Sequence, residues 1–312
     1  MADFKPFDRL CLIGIGLIAS SIARAVRERG LAKTIVCATP DQTHREAALS
    51  LGLVDEAFAS NAEAVRGADL VILCTPPGVM SLIAQEISAD LAEGAILSDV
   101  GSVKQTIAES IAPHVPAHAQ FVPAHPVAGT ENSGPAAGFG TLFQDRWCII
   151  TPVPEGGDEA IARVQAFWEA MGANVELMDP KHHDQVLAIT SHIPHLIAYN
   201  IVGTADDLEA VTKSEVIKFS AAGFRDFTRI AASDPTMWRD VFLNNREAVL
   251  EMLGRFSEDL TALQRAIRWG DGDALYSLFS RTRDIRRAII DAGQDSAAPN
   301  FGRDTGPDEG DD

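Results

Sequence analysis

An open, mostly parallel α/β sheet followed by an all-helical domain is the architecture that this 312-residue sequence predicts. Three observations carry that expectation. Short apolar runs alternate with Ala-rich amphipathic stretches through residue 179, the pattern of repeated strand–helix units. From Lys181 the strand signals largely stop and long helical patterns take over. Several of the apolar runs also end abruptly in polar, glycine-containing turns, and the tips of strands are where an open parallel sheet binds ligands.

The first unit is read most directly. Residues 9–14, R-L-C-L-I-G, form an apolar strand that runs into G-I-G-L-I-A-S-S and then a helical pattern from Ile22 to Arg29. Strand, glycine turn and helix are the context that a G-x-G-x-x-G/A fingerprint requires. Gly14 permits the tight turn, Gly16 lets the backbone approach a pyrophosphate, and Ala19 is small enough for the helix to pack on the strand. Gly14, Gly16, Leu17, Ile18 and Ala19 are thus the candidate phosphate-binding turn, with free N–H groups at the helix start to meet negative charge. This makes the sheet a doubly wound, Rossmann-type dinucleotide-binding domain spanning residues 1–179.

The second strand, Thr34 to Ala38, ends in T-P-D-Q-T-H-R. An NAD site usually places Asp or Glu here to hold the ribose 2′-hydroxyl. Thr39 takes that position, with Asp41 and Arg45 beyond it. Thr39 can bond a hydroxyl or a phosphate, and Arg45 can meet a 2′-phosphate, whereas Asp41 and Thr43 also suit plain helix capping. NAD is favoured and NADP stays open. Ala68 to Cys74 reads as a buried strand ending in Thr75-Pro76-Pro77, a sharp turn beside the expected ribose, although proline ends strands in any case. A helix near Met80 to Leu91, a strand from Gly94 into S-D-V-G-S-V-K and a helix Gln105 to Ile111 follow. The strand Gln120 to Pro123 then leads into H-P-V-A-G-T-E, making His125 the first residue to suspect of chemistry. A strand at Cys148 to Pro152, a helix Glu159 to Met171 and a strand Asn174 to Met178 complete the sheet.

Residues 180–293 read as an all-helical domain with helices His182 to Gly203, Leu208 to Ser220, Pro235 to about Gly254, Glu258 to Trp269 and Asp273 to Ala292. Ser233 or Asp234 before Pro235 gives a cap-then-proline helix start. Broad apolar faces on the later helices suit packing against a second copy, so a homodimer is expected. His182 and His183 read as exposed residues at a helix start. His192 and His195, three apart around Pro194, lean to one side of a helix. Zinc is a poor explanation for them, because there is no H-E-x-x-H and no nearby Cys. Arg225 and Arg229 are natural forks for a carboxylate, with ion pairs to Asp226 or Asp234 as the plainer role.

Bulk properties bound the partners. The chain is 46% apolar, and no uninterrupted apolar run approaches the roughly 20 residues of a membrane span. The N-terminus lacks the basic-then-apolar layout of a signal peptide, so a soluble, cytoplasmic protein is expected, with no membrane partner. A formal net charge of -18 argues against nucleic acid. Part of that charge is local, and residues 294–312 read as a disordered acidic tail. Cys11, Cys37, Cys74 and Cys148 are far apart, all in expected strands and without C-x-x-C, so neither a disulfide framework nor a metal site is expected.

Taken together, G-I-G-L-I-A-S-S, T-P-P, S-D-V-G-S-V-K, H-P-V-A-G-T-E, S-H-I-P-H and G-F-R-D-F-T-R-I-A-A-S-D-P-T-M-W-R-D-V-F resemble the prephenate dehydrogenases, including the cyclohexadienyl type that also accepts arogenate. The motifs occur in the family's order over roughly residues 8–292. The resemblance implies oxidation of the ring 4-hydroxyl of prephenate with NAD(P)+, loss of carbon dioxide and formation of 4-hydroxyphenylpyruvate, for tyrosine synthesis. It implies His125 as the base on that hydroxyl, with Ser102 orienting it beside the nicotinamide. It also implies His195 facing the pyruvyl side chain, Arg229 holding a substrate carboxylate, Glu131 and Asp184 forming an ionic gate, and Ser191 and Trp238 lining the pocket. An unperturbed His, near 6.5, suits the base role. Ala19 and Thr39 depart from the usual fingerprint, and Thr39 bears on the choice between NAD and NADP. A β-hydroxyacid-type dehydrogenase is the competing enzyme reading. It needs a Lys on the first long helix after the sheet, where this chain has His192 and His195. A non-catalytic Rossmann-type nucleotide sensor is the third, and it makes His125, Ser102 and Arg229 dispensable.

Overall fold

The computed structural model describes residues 4–212 and 222–291. The chain divides into two compact units, Met1–Met252 and Leu253–Asp312. The first unit thus runs well past residue 179, where the strand signals stop.

The sheet has eight strands: β1 (Phe7–Ile13), β2 (Ala32–Ala38), β3 (Glu56–Phe58), β4 (Leu70–Leu73), β5 (Ile96–Asp99), β6 (Gln120–Pro126), β7 (Trp147–Ile150) and β8 (Asn174–Leu177). Their spatial order is β3-β2-β1-β4-β5-β6-β7-β8. All pairs are parallel except β6 with β7, where His125 lies opposite Ile149. The short strand β3 carries too few residues for a period-2 signal and was not expected from the sequence. Helices α1 (Leu17–Arg29), α2 (Gln42–Ser50), α3 (Asn61–Val65), α4 (Pro77–Ile87), α5 (Gln105–Ile111) and α6 (Asp158–Ala170) cover the faces.

Alternation along the strands divides the core into two layers, as a sheet covered on both faces requires. Leu10 and Leu12 of β1 join one buried cluster with Ala19, Ile22 and Val26 of α1 and Phe167 and Trp168 of α6. Cys11 and Ile13, the residues of opposite parity, join a second with Met80 and Ala84 of α4 and Ile107 and Ile111 of α5. Cys11, Cys37 and Cys148 are buried in strands, while Cys74 comes directly after β4. Burial pushes all four thiols up, Cys37 to about 11, so they stay neutral core residues.

Within the first unit the helical segment begins at α7 (Pro180–Leu187), with Asp179 as its N-cap and proline at the first position. A π-helical turn, Ala188–His192, then leads into α8 (Ile193–Thr212). Pro194 accounts for the turn, because it lacks the N–H that would close the preceding α-turn. Helix α8 runs to Thr212, beyond the expected end at Gly203. The rest of the expected helix Leu208 to Ser220 lies outside the described residues, as does the expected acidic tail from 294 to 312. A helix Ala222–Thr228, a 3₁₀ turn Arg229–Ala232 and a helix Pro235–Asn244 follow, the last capped by Asp234, whose carboxylate accepts from Met237 N at 2.8 Å.

The expected break between Gly254 and Glu258 is absent: one helix spans Arg246–Trp269. A single interior glycine costs a helix only about 1 kcal/mol, too little to end 24 residues of otherwise helical sequence. The second unit holds the later turns of this helix and a helix Gly272–Asp291, with Gly270 at φ +69° in the turn. It leaves Ile267, Trp269, Tyr276, Phe279 and Ile285 exposed.

The membrane expectation needs one amendment. Among the described residues, the continuous stretch Pro180–Asp207 is long and apolar enough, by length and composition, to cross a bilayer. It carries His183, Asp184 and His192 buried within the first unit, and 28% of its apolar window is buried.

Candidate active site

The strand order reverses between β1 and β4, and the fingerprint turn sits at the end of β1 beside the end of β4. Gly14 is at φ +90°, and a Cβ there would lie 2.8 Å from the carbonyl oxygen of Cys74, so only glycine fits. A Cβ on Gly16 would meet nothing within 4 Å, leaving open space over the start of α1. That start, at Leu17 and Ile18, has no side-chain cap, and Ala19 is fully buried against the sheet. Beside it the Thr75 hydroxyl is buried without a hydrogen-bond partner among the described residues. An open cradle, uncapped helix N–H groups and an unsatisfied hydroxyl at the switch point fit a dinucleotide. Pro76 and Pro77 start α4, whose Gly78 N–H donates to Asp240 Oδ2 at 3.2 Å. At the end of β2, Thr39 is buried, and Arg45 Nη1 donates to the carbonyls of Thr39 and Pro40 at 2.7 and 2.9 Å. Asp41 caps α2 by accepting from Thr43 N and His44 N.

His125 lies near the carboxyl end of β6, buried, in a cluster drawn from four segments. Its Nδ1 is 2.8 Å from His183 Nε2, and His183 Nδ1 is 2.8 Å from Asp184 Oδ1. Among the described residues, His125 Nε2 has no hydrogen-bond partner. Asp184 also accepts from Lys104 N at 2.8 Å and Gln105 N at 3.0 Å, so it caps α5. Lys104, fully buried, donates through Nζ to Asp99 Oδ1 and, at 2.9 Å, to the Ala124 carbonyl. Its ammonium therefore ties β5 to β6 one residue before His125.

Burial sets the titration of these groups. It holds His125 well below the ordinary 6.5, reinforced by the charges that His183, Lys104 and His192 carry when protonated. Burial likewise lowers His183, against the hydrogen bond it donates to Asp184, which raises it. His192 falls to about 4, again through burial first. Burial pushes Asp99 up, opposed by Lys104. The expectation of an unperturbed His125 is therefore corrected: burial lowers its pKa and favours the neutral ring, whose lone pair is then available.

A second cluster carries positive charge. Arg229 Nη1 donates to Glu131 Oε2 at 2.6 Å. His195 Nδ1 donates to the Ser191 carbonyl at 2.9 Å, and its ring stacks on Trp238 with centroids 3.6 Å apart. Burial lowers the His195 pKa, and the charge of Arg229 lowers it further. His192, whose Nδ1 accepts from Asn245 Nδ2 at 3.1 Å, packs edge-on to Trp238 and joins the two clusters. His195, Arg229, Ser191, Trp238 and Glu131 are thus brought together, while Arg225 stays exposed.

Two sequence expectations are corrected here. His183 is not exposed, because the first turn of α7 turns it into the sheet domain; His182 is exposed, as expected. His183, rather than Ser102, is the hydrogen-bond partner of His125; Ser102 meets the cluster through its backbone, which faces the His192 ring. Asp184, expected at an ionic gate with Glu131, is buried and bonded to the α5 start and His183, while Glu131 bonds Arg229. The sequence reading also passed over Asp99 and Lys104, although both stand in S-D-V-G-S-V-K. An Asp and a Lys flanking a glycine turn were the available signal.

Residues 22–177 match the family model for the nucleotide-binding domain of prephenate dehydrogenase, and residues 179–281 match that for its dimerization domain. A cyclohexadienyl dehydrogenase of Zymomonas mobilis is 40% identical over 283 residues, covering 91% of this chain and 96% of the relative. A prephenate dehydrogenase of Bacillus subtilis is 31% identical over 94% of this chain and 79% of its own length. Among solved structures, the prephenate dehydrogenase of A. aeolicus, in complex with hydroxyphenyl propionate and NAD+, superposes with a TM-score of 0.84 at 31% identity, covering 90% of this chain and 98% of that one. With both domains matched in order and a relative 40% identical over 91% of the chain, this chain belongs to the prephenate dehydrogenase family.

Proposed function

We propose that this protein catalyses the NAD-dependent oxidative decarboxylation of prephenate to 4-hydroxyphenylpyruvate, and that it also accepts arogenate. The observation that carries the reading is His125: buried, with its pKa lowered by burial, fixed through Nδ1 and, among the described residues, without a partner at Nε2. When bound at the Gly14–Ala19 turn, the nicotinamide cofactor supplies the hydride acceptor. His125 Nε2 accepts the proton of the ring 4-hydroxyl as hydride leaves the same carbon. The ring then loses its carboxylate as carbon dioxide, and the bonding electron pair completes the aromatic ring and places charge on the 4-oxygen. That phenolate takes back the proton from His125, so the base is regenerated within one turnover. Aromatisation drives the carbon–carbon cleavage, and no separate acid is needed.

Arg229 is the cation for a substrate carboxylate, which displaces Glu131 from it. His195, locked by Ser191 and Trp238, offers Nε2 to the pyruvyl side chain. NAD is the proposed cofactor rather than NADP, because the Arg45 Nη1 group that would greet a 2′-phosphate is already committed to two backbone carbonyls. The dimerization-domain match and the exposed apolar residues of the second unit support a homodimer. NAD+ and NADP+, each offered with prephenate and with arogenate, test the reading through absorbance of the reduced cofactor. Turnover with NAD+ and prephenate is expected, and silence in all four mixtures would refute it.

A further inference from the structure

His183 and Asp184 are adjacent in sequence, yet they face two different tasks from one helical turn. Asp184 closes the N-terminus of α5 through Lys104 N and Gln105 N and still presents Oδ1 to His183 Nδ1. His183 is fully buried, and its other ring nitrogen faces His125. We propose that His183 and Asp184 are positioning residues for His125, forming a buried Asp–His–His chain that fixes the tautomer of the base and shares the proton it takes up.

The tautomers follow from hydrogen-bond chemistry. An ionised carboxylate only accepts, so Asp184 requires the hydrogen of His183 on Nδ1. A neutral His183 then has only a lone pair at Nε2, and it accepts from His125 Nδ1–H. A neutral His125 in turn has its lone pair on Nε2, the nitrogen without a partner among the described residues. Each hydrogen bond dictates the next, and the chain ends with an acceptor at the one atom able to meet a substrate hydroxyl. The same chain answers a cost that burial creates. A buried imidazolium is unfavourable, and Lys104 already places positive charge nearby. When His125 Nε2 takes the hydroxyl proton, its Nδ1–H bond to His183 strengthens, and the anionic Asp184 at the far end compensates the charge. The groups facing His125 and His183 are then Asp184 from α7, His192 from the π-helical turn, Lys104 and Asp99 from the β5–α5 corner, and Cys148 of β7, which accepts from the His125 backbone N–H. Among these only Asp184 and Asp99 carry negative charge, and Asp99 is engaged with Lys104.

This inference rests on the proposed dehydrogenase reading for its kinetic test and not for its spectroscopic one. The whole protein, labelled with ¹⁵N at histidine, is examined by NMR at neutral pH, with His125 assigned from His125→Asn. The expected spectrum has His125 protonated at Nδ1 and bare at Nε2, and His183 protonated at Nδ1. In kinetics with NAD+ and prephenate, His183→Leu is expected to lower kcat on the order of 100-fold with KM changed little, and to move the acid limb of kcat/KM to lower pH. His183→Gln, whose amide oxygen still accepts from His125 Nδ1–H, is expected to recover about ten-fold of that loss while the acid limb stays displaced. A His125 ring protonated at Nε2 would overturn the proposal. So would a folded His183 variant with wild-type kcat, or one whose kcat falls while the acid limb stays in place, because that marks a merely structural role. If the wild-type enzyme turns over none of the four mixtures, the dehydrogenase reading fails and the spectrum alone decides the chain.

Discussion

The guanidinium of Arg229 and the carboxylate of Glu131 meet at 2.6 Å, across 98 residues of sequence, and both remain about one-third exposed. A pair that open to water contributes less than about 1 kcal/mol to folding. Its value lies in having an Arg fork already oriented where an anionic substrate can exchange for the Glu131 carboxylate.

Arg229→Ala should therefore leave the thermal midpoint almost unchanged and raise KM for prephenate by about 10- to 100-fold, the loss of one charge-assisted contact. Steady-state kinetics check this. An unchanged KM would move the carboxylate clamp elsewhere, with the exposed Arg225 the next residue to test.

Lys104 makes the opposite prediction. It is fully buried with Asp99, so removing the cation leaves a carboxylate stranded in the core. Lys104→Met should destabilise the fold by about 3–5 kcal/mol, and the double variant with Asp99→Asn should regain a large part of it. Urea denaturation of the single and double variants measures both.

Acid should weaken the fold through its buried histidines. Burial lowers His125, His183 and His195, and takes His192 to about 4. An unfolded histidine titrates near 6.5, so between these values the unfolded chain binds more protons and stability rises with pH. The contribution is fully present above about pH 6.5 and is lost as pH falls toward the folded values. Urea midpoints in a buffer series across that window should fall steadily on acidification, and His192→Gln should flatten the slope.

Gly14→Ala should fail twice over. The left-handed φ of +90° strains any Cβ, and that Cβ meets the Cys74 carbonyl at 2.8 Å. A stability loss above about 1 kcal/mol is expected, together with weaker NAD+ binding by titration calorimetry. Wild-type affinity in this variant would place the cofactor somewhere other than the fingerprint turn.

The sheet was legible because its units announce themselves locally. The G-I-G-L-I-A turn, the apolar runs of β1, β2 and β4 and the α5 pattern at Gln105 to Ile111 are short-range signals, and the structure keeps each of them. The strand-tip placement of His125 followed from the same pattern. The surroundings of His125 did not, because they are assembled over long distances: His183 lies 58 residues from His125, and Asp184 80 residues from Lys104. A His-His-Asp run after Asp179-Pro180 reads as a solvated helix start, and only the docking of α7 on the β5–α5 corner turns it inward. The partners of Asp184 were equally out of reach of a local reading, because its carboxylate accepts from the Lys104 and Gln105 N–H groups and the His183 ring. Helix ends were also poorly marked: Gly203 and Gly254 do not stop their helices, since packing and length outweigh one glycine.

The central claim is that His125 takes the hydroxyl proton in the transition state. The most direct measurement is steady-state kinetics of His125→Asn with NAD+ and prephenate, with the fold checked by circular dichroism. The account predicts a kcat lower by about 10²- to 10⁴-fold with KM for both substrates little changed. A folded variant with wild-type kcat would contradict it.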